Sequence, residues 1–156
     1  MARKRNIVDR NIMPDPKHNS VVLTQFINSV LRNGKKSTAE RIVYSALDIL
    51  KEKTKKDPIE VFLKAIDNVK PVLKVVSRRV GGSNYQVPME VSKENAKALA
   101  FRWIIKFSKS RSGSNMQEKL AAELLAAYNN EGASIKKKED THRMAESNKA
   151  FAHMRW

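Results

Sequence analysis

The sequence predicts a mainly α protein: a single-domain bundle of about six helices with a two-stranded β-ribbon protruding between the third and fourth. Three observations carry this expectation. Apolar residues recur every three or four positions over five segments, each bounded by residues able to cap or stop a helix. Between Val72 and Val91 the period drops to two around Gly81-Gly82. The stretch after Ile135 is rich in helix formers although its charge runs nearly all round. The divisions expected within residues 1–156 are a basic N-terminal arm (1–19), the ribbon (72–91) and a polar C-terminal helix and tail (135–156).

Ser20 can cap a first helix in which Leu23, Phe26, Ile27, Val30 and Leu31 share a face, and Asn33-Gly34 tolerate the left-handed conformation that ends a helix. After "GKK", Ser37 and Glu40 have the spacing of a capping box. They precede a stripe of Ala39, Ile42, Val43, Ala46, Leu47 and Leu50. The lysines of "KEKTKK" suit the end of that helix. Asp57, Pro58 and Glu60 then read as cap, first-turn proline and first-turn acid. Ile59, Phe62, Leu63, Ile66 and Val69 form the third helix's buried face, and Pro71 stops it.

In the ribbon "RRVGGSNYQVPMEV", two-residue turns within Gly81 to Asn84 put Val76, Arg78 and Val80 on one face with Tyr85, Val87 and Met89. Ser77, Arg79, Gln86 and Pro88 take the other. A lone ribbon is marginal in water, and Pro88 forfeits a ladder donor, so this arm needs something to lie against. Tyr85 suits base stacking and cross-strand pairing equally.

Ser92 caps a fourth helix with Ala96, Leu99, Ala100, Trp103, Ile104 and Phe107 inside, so that Trp103 reads as core. Arg102, Lys106, Lys109 and Arg111 give that helix a cationic outer side. Ser114 and Gln117 can box a fifth helix with Met116, Leu120, Ala121, Leu124, Leu125 and Tyr128 inside. From Ser112 to Ser134 there are one Lys and three Glu, so this segment faces core or a protein partner rather than phosphate.

Lys and Arg number 31 against 16 acids, a net charge of +15 with pI near 10.2, which points to a polyanionic partner. Nucleic acid fits better than a membrane, because the cations are spread over ends, ribbon and helices instead of backing one apolar face. No apolar run approaches the roughly 18 residues of a membrane span, and "MARKRNIVDRNIMPDPKH" has neither a signal's apolar core nor a good transit helix. The expected location is the cytoplasm, bacterial before organellar. There is no cysteine, His18, His142 and His153 stand far apart, and no catalytic or phosphate-binding fingerprint occurs. No enzyme activity, cofactor or metal is expected.

The ribbon "SRRVGGSNYQVPMEV", the helix "ALAFRW", the segments "DPKHNS" and "NGKKSTAERIVYSAL", and above all the ending "KKKEDTHRMAESNKAFAHMRW" resemble the bacterial and organellar small-subunit ribosomal protein seven family. The resemblance spans nearly the whole chain. It implies a protein that binds the 3′ major domain of 16S rRNA and nucleates assembly of the subunit head. It would lie at the subunit interface near the exit-site tRNA and the mRNA path, beside small-subunit proteins eleven and nine. Carried onto this chain, the rRNA contacts would be Arg3, Lys4, Arg5, Arg10, Lys35, Lys36, Arg78, Arg79, Arg102, Arg111, Lys136, Lys137 and Arg143. The surface near tRNA and mRNA would be Gly81, Gly82, Ser83, Asn84 and Tyr85 with Met144, Asn148, Lys149, Phe151, Arg155 and Trp156. Two departures stand out: "SKENAK" opens the fourth helix with less positive charge than the family tends to carry, and Met154 stands where an aromatic is expected. An architectural DNA-binding protein with a basic β-arm, and a protein-only module using the acidic fifth helix, are the competing readings.

Overall fold

Three helices start where local chemistry requires it, and the rest of the architecture follows from how the helices' apolar faces meet. The computed structural model describes residues 11–154. Their order is α1 (Val21–Val30), α2 (Lys36–Thr54), α3 (Pro58–Val69), β1 (Leu73–Val80), β2 (Ser83–Glu90), α4 (Lys93–Ser110), α5 (Met116–Tyr128), α6 (Ala133–Ser147) and a terminal 3-10 helix (Lys149–Met154). This is the expected six-helix bundle with a ribbon after its third helix.

The N–H of Leu23 donates to the Ser20 side chain, that of Ile59 to Asp57, and that of Asn95 to Ser92, so three of the expected caps form. The two expected capping boxes do not. α2 begins at Lys36 with Lys35 as its cap residue, which places Ser37 inside the first turn, where its hydroxyl cannot cap. α5 is preceded by Asn115 without a side-chain cap bond, and Ser114 instead faces Glu118 at 3.4 Å. Asn33 and Gly34 do adopt positive φ (52° and 73°), but α1 has already ended at Val30, so they turn the connection to α2 rather than stop the helix.

α5 is packed against α2, α3, α4 and α6. Leu120, Ala121, Leu124 and Ala127 are buried there among Leu47, Leu50, Phe62, Ile66 and Ile104. Phe26 holds α1 to this core by meeting Phe62 and Phe101 edge-on, both at 5.2 Å between ring centroids. Trp103 is core, as its stripe predicts. Phe101 and Ile105 are buried too, so the apolar arc of α4 is broader than the expected stripe.

The acidic segment brings one carboxylate inside. Glu123 is wholly buried, yet every close neighbour supplies a donor: Arg111 Nε lies 2.5 Å from Oε2, while the hydroxyl and N–H of Ser134 donate to Oε1 at 2.5 and 3.1 Å. Gly132 borders this cluster with φ +91°, and a Cβ there would stand 3.1 Å from that of Ala126. Removing the counter-charge strands a buried anion. Arg111→Ala is expected to cost about 2–3 kcal/mol, below the range for a wholly buried pair because the guanidinium is partly solvated. Urea unfolding monitored by circular dichroism checks this.

Candidate nucleic-acid interface

Repetition at helical spacing builds the principal cationic surface. Arg102, Lys106 and Lys109 follow one another at four and three residues on α4, so their side chains emerge on one side. Lys97 on α4 and Arg32 just beyond α1 join them around a concavity of about 1250 Å³. Among the described residues, Glu94 is its one acidic lining residue. Phe101 and Ile105 floor it, and Ile12 from the N-terminal segment lies at its border. Among the described residues, none of these five cations forms an ion pair. Arg102 was expected at a nucleic-acid surface; Arg32 was not, because it joins the group only when α1 and α4 pack side by side, and Lys97, on the same helix as Arg102, was not singled out.

The ribbon carries the second surface. Its register pairs Val76 with Val87, Arg78 with Tyr85, Arg79 with Asn84 and Val80 with Ser83, leaving Gly81 and Gly82 as a two-residue turn, both with positive φ. The expected division of faces therefore holds. Arg79 is exposed and Arg78 half-buried; the tip residues Gly81, Gly82, Ser83 and Asn84 are exposed.

What the ribbon lies against is the chain's own C-terminus. The terminal 3-10 helix packs on β2 and α6 packs on both strands. Tyr85 and Phe151 meet at 5.4 Å with their planes tilted by 56°, and Val87 beside them is completely buried. Both aromatic side chains are thus half covered by each other. α6 achieves this with a narrow buried line of Ser134, Ile135, Thr141 and Ala145, which a search for a broad apolar stripe overlooks.

The other expected residues are placed as follows. Lys35 and Lys36 are exposed at the start of α2, with Lys36 3.7 Å from Glu40. Lys136 is exposed and Lys137 half-buried on α6. Arg143, Met144 and Lys149 are exposed; Arg143 lies 3.7 Å from Asp140, and Asn148 is half-buried, donating to the Met144 carbonyl at 2.7 Å. Arg111 is engaged with Glu123, so only part of its side chain faces solvent. Arg3, Lys4, Arg5, Arg10, Arg155 and Trp156 lie outside the described residues. Among the described residues no group of three or more His, Cys, Asp or Glu side chains could hold a metal, and no helix is long and apolar enough to cross a membrane.

A family model described as ribosomal protein S7p/S5e matches residues 2–149. The chain belongs to the ribosomal protein S7p/S5e family. A relative named small ribosomal subunit protein uS7 from Desulfatibacillum aliphaticivorans is 59% identical over 156 residues, covering all of both chains. Relatives of the same name from Thermotoga petrophila and an Anaeromyxobacter species are 57% and 55% identical over 99% and 100% of each chain. As a member of the S7p/S5e family, the chain is a structural protein of the small ribosomal subunit and not an enzyme.

One imidazole joins the ribbon to the C-terminal helix. The Val72 N–H donates to His142 Nε2 at 3.0 Å, just where Val91 N–H closes the ribbon's base on the Val72 carbonyl at 2.9 Å. That bond needs an unprotonated nitrogen. Burial first, and then the charge of Lys138, lowers the His142 pKa from its ordinary value. The unfolded chain therefore takes up the proton more readily, and the stability linked to neutral His142 is full above about pH 6.5 and is lost as pH falls through the folded-state value. Thermal melts between pH 7 and pH 5 are expected to show a steeper loss of stability in the native protein than in His142→Ala.

Proposed function

We propose that this chain is a primary rRNA-binding protein that docks on the 3′ major domain of 16S rRNA and nucleates folding of the head of the small subunit. Its ribbon tip and tail then lie at the subunit interface, near the exit-site tRNA and the mRNA path, with small-subunit proteins eleven and nine as neighbours. The observation that carries this reading is the groove between α1 and α4, whose five cations form no ion pair among the described residues, and which leads by way of the first turn of α4 to a ribbon bearing Arg78 and Arg79. Such a surface neutralises phosphates and releases counterions, while its fixed curvature selects a folded RNA by shape.

The first turn of α4 contributes Glu94 beside the groove, in keeping with the less basic "SKENAK". Phosphate contact is accordingly assigned to the later turns. The competing readings find less support. Pro88 is buried and pairs with Val75, six positions beyond Gly82, so it is no intercalating wedge at the ribbon's tip. The apolar face of α5 is taken up by the core, which leaves a protein-only module without its docking helix.

Binding to a 3′-domain rRNA fragment and to duplex DNA at matched, near-physiological salt tests the proposal. Preference for the rRNA is expected, and equal affinity would sink it. Arg78→Ala combined with Arg79→Ala is expected to weaken rRNA binding and to reduce the slope of log affinity against log salt by about 1 to 2. Titration at several salt concentrations measures both.

A further inference from the structure

The elements that pack against the ribbon are α6 and the terminal 3-10 helix, and among the described elements no other helix approaches either strand. The C-terminal segment therefore decides how the ribbon stands on the body. At the base, the Val72 N–H is held by His142 Nε2 at 3.0 Å. Toward the tip, Tyr85 meets Phe151 at 5.4 Å between ring centroids.

The tail reaches Tyr85 because Asn148 turns the chain at the end of α6. Its side-chain amide donates to the Met144 carbonyl at 2.7 Å, while its own carbonyl accepts the N–H of Phe151 at 3.0 Å. The 3-10 helix that follows packs on β2 and α6 and on no other described element. None of its side chains from Lys149 to His153 is buried in the helical core. A segment that leaves the core untouched and packs on the ribbon does its work on the ribbon.

The place of that contact matters. In the register Arg78 is paired with Tyr85 and Arg79 with Asn84, so Phe151 grips the strand at the pair that carries Arg78 and next to the one that carries Arg79. The Phe151 ring is half-buried against Tyr85, and Val87 on the same face is completely buried. A two-stranded ribbon held only at its base would sample many directions.

We propose that Phe151 is a positioning residue for RNA binding: acting through Tyr85, it clasps the outer half of the ribbon to α6, so that Arg78 and Arg79 meet phosphate from a fixed place. This rests on the rRNA-binding role proposed above. Opening the clasp lowers the fraction of molecules whose ribbon is correctly placed, and the apparent affinity falls by the same factor. The ring does this without itself contacting RNA.

The test compares Phe151→Ala in two full-length backgrounds: the native chain, and a chain carrying Arg78→Ala with Arg79→Ala. Affinity for the 3′-domain rRNA fragment is measured in each, and hydrogen exchange of the ribbon amides is followed in the protein without RNA. In the native background Phe151→Ala is expected to lower affinity roughly two- to tenfold, the range of one aromatic pair. Phe151→Tyr, which keeps the ring, is expected to restore it. In the Arg78→Ala, Arg79→Ala background Phe151→Ala is expected to change affinity by less than about 1.5-fold, because the charges it positions are gone. Ribbon amides are expected to exchange faster in Phe151→Ala while those of α2 and α5 keep their rates. Tyr85→Ala removes the other ring and is expected to give the same pattern. Equal losses in both backgrounds would mean that Phe151 touches RNA itself and would overturn the inference, as would unchanged ribbon exchange or no loss in the native chain. Failure of the underlying RNA reading would show separately, as equal affinity of the native chain for rRNA and duplex DNA.

Discussion

A buried carboxylate needs partners supplied by structure, and Glu123 draws them from the helices that precede and follow the central one in sequence. Arg111 reaches it from the end of α4, Ser134 from the start of α6, and α5 carries it. Three helices are therefore joined at one point by charge-assisted bonds, where apolar contact alone would allow sliding. The constraint propagates. α4 carries the cations of the groove and α6 carries the helix that docks on the ribbon, so the spacing between both candidate RNA surfaces is set at a place where neither is exposed. A second set of bonds reinforces it: Asn68 on α3 donates to the carbonyls of Ala127 and Tyr128 at 3.0 and 3.1 Å, and Lys138 on α6 donates to the Asn68 carbonyl at 2.7 Å.

This rigidity matters because the groove opposes its own formation. Lys97, Arg102, Lys106 and Lys109 repel one another on a single helix. The compensation comes from the same helix, where Phe101 and Ile105 beneath the groove and Trp103 and Ile104 further round are buried in the core. Hydrophobic burial thus holds together charges that a solvated peptide would spread, and a polyanion meeting them finds much of the ordering already done. Net charge, so read, is a device for association that the core has to tolerate.

How much of this was legible in sequence depends on the range of the interaction. Ser20, Asp57 and Ser92 act within three residues of themselves, and each was recognisable by position. Ser37 and Ser114 also had the right spacing, yet the helices start with Lys35 and Asn115 as cap residues, which puts neither serine at a cap. Glu123 lies in an acidic segment expected to face core or a protein partner, but its pairing with Arg111, twelve positions away, is what shows this carboxylate itself to be inside. Arg32 and Lys97 come from segments that meet only in the fold. The meeting of Tyr85 with Phe151 spans 66 positions, and nothing local to either aromatic announces it.

That last contact also changes how the ribbon's two arginines are understood. Adjacent residues on a strand point to opposite faces, so Arg78 and Arg79 could have served two ligands. The tail takes one of those faces, burying Val87 and half covering Tyr85 on the side that Arg78 shares. Arg79, on the other side, stays exposed. A two-stranded ribbon has too little surface to be stable and two-sided at once. By giving one face to its own C-terminus, the chain acquires a stiff arm whose other face is covered at Pro88 and open at Ser77, Arg79 and Gln86 toward an exposed tip, and stiffness is what an arm needs to deliver a charge to a fixed phosphate.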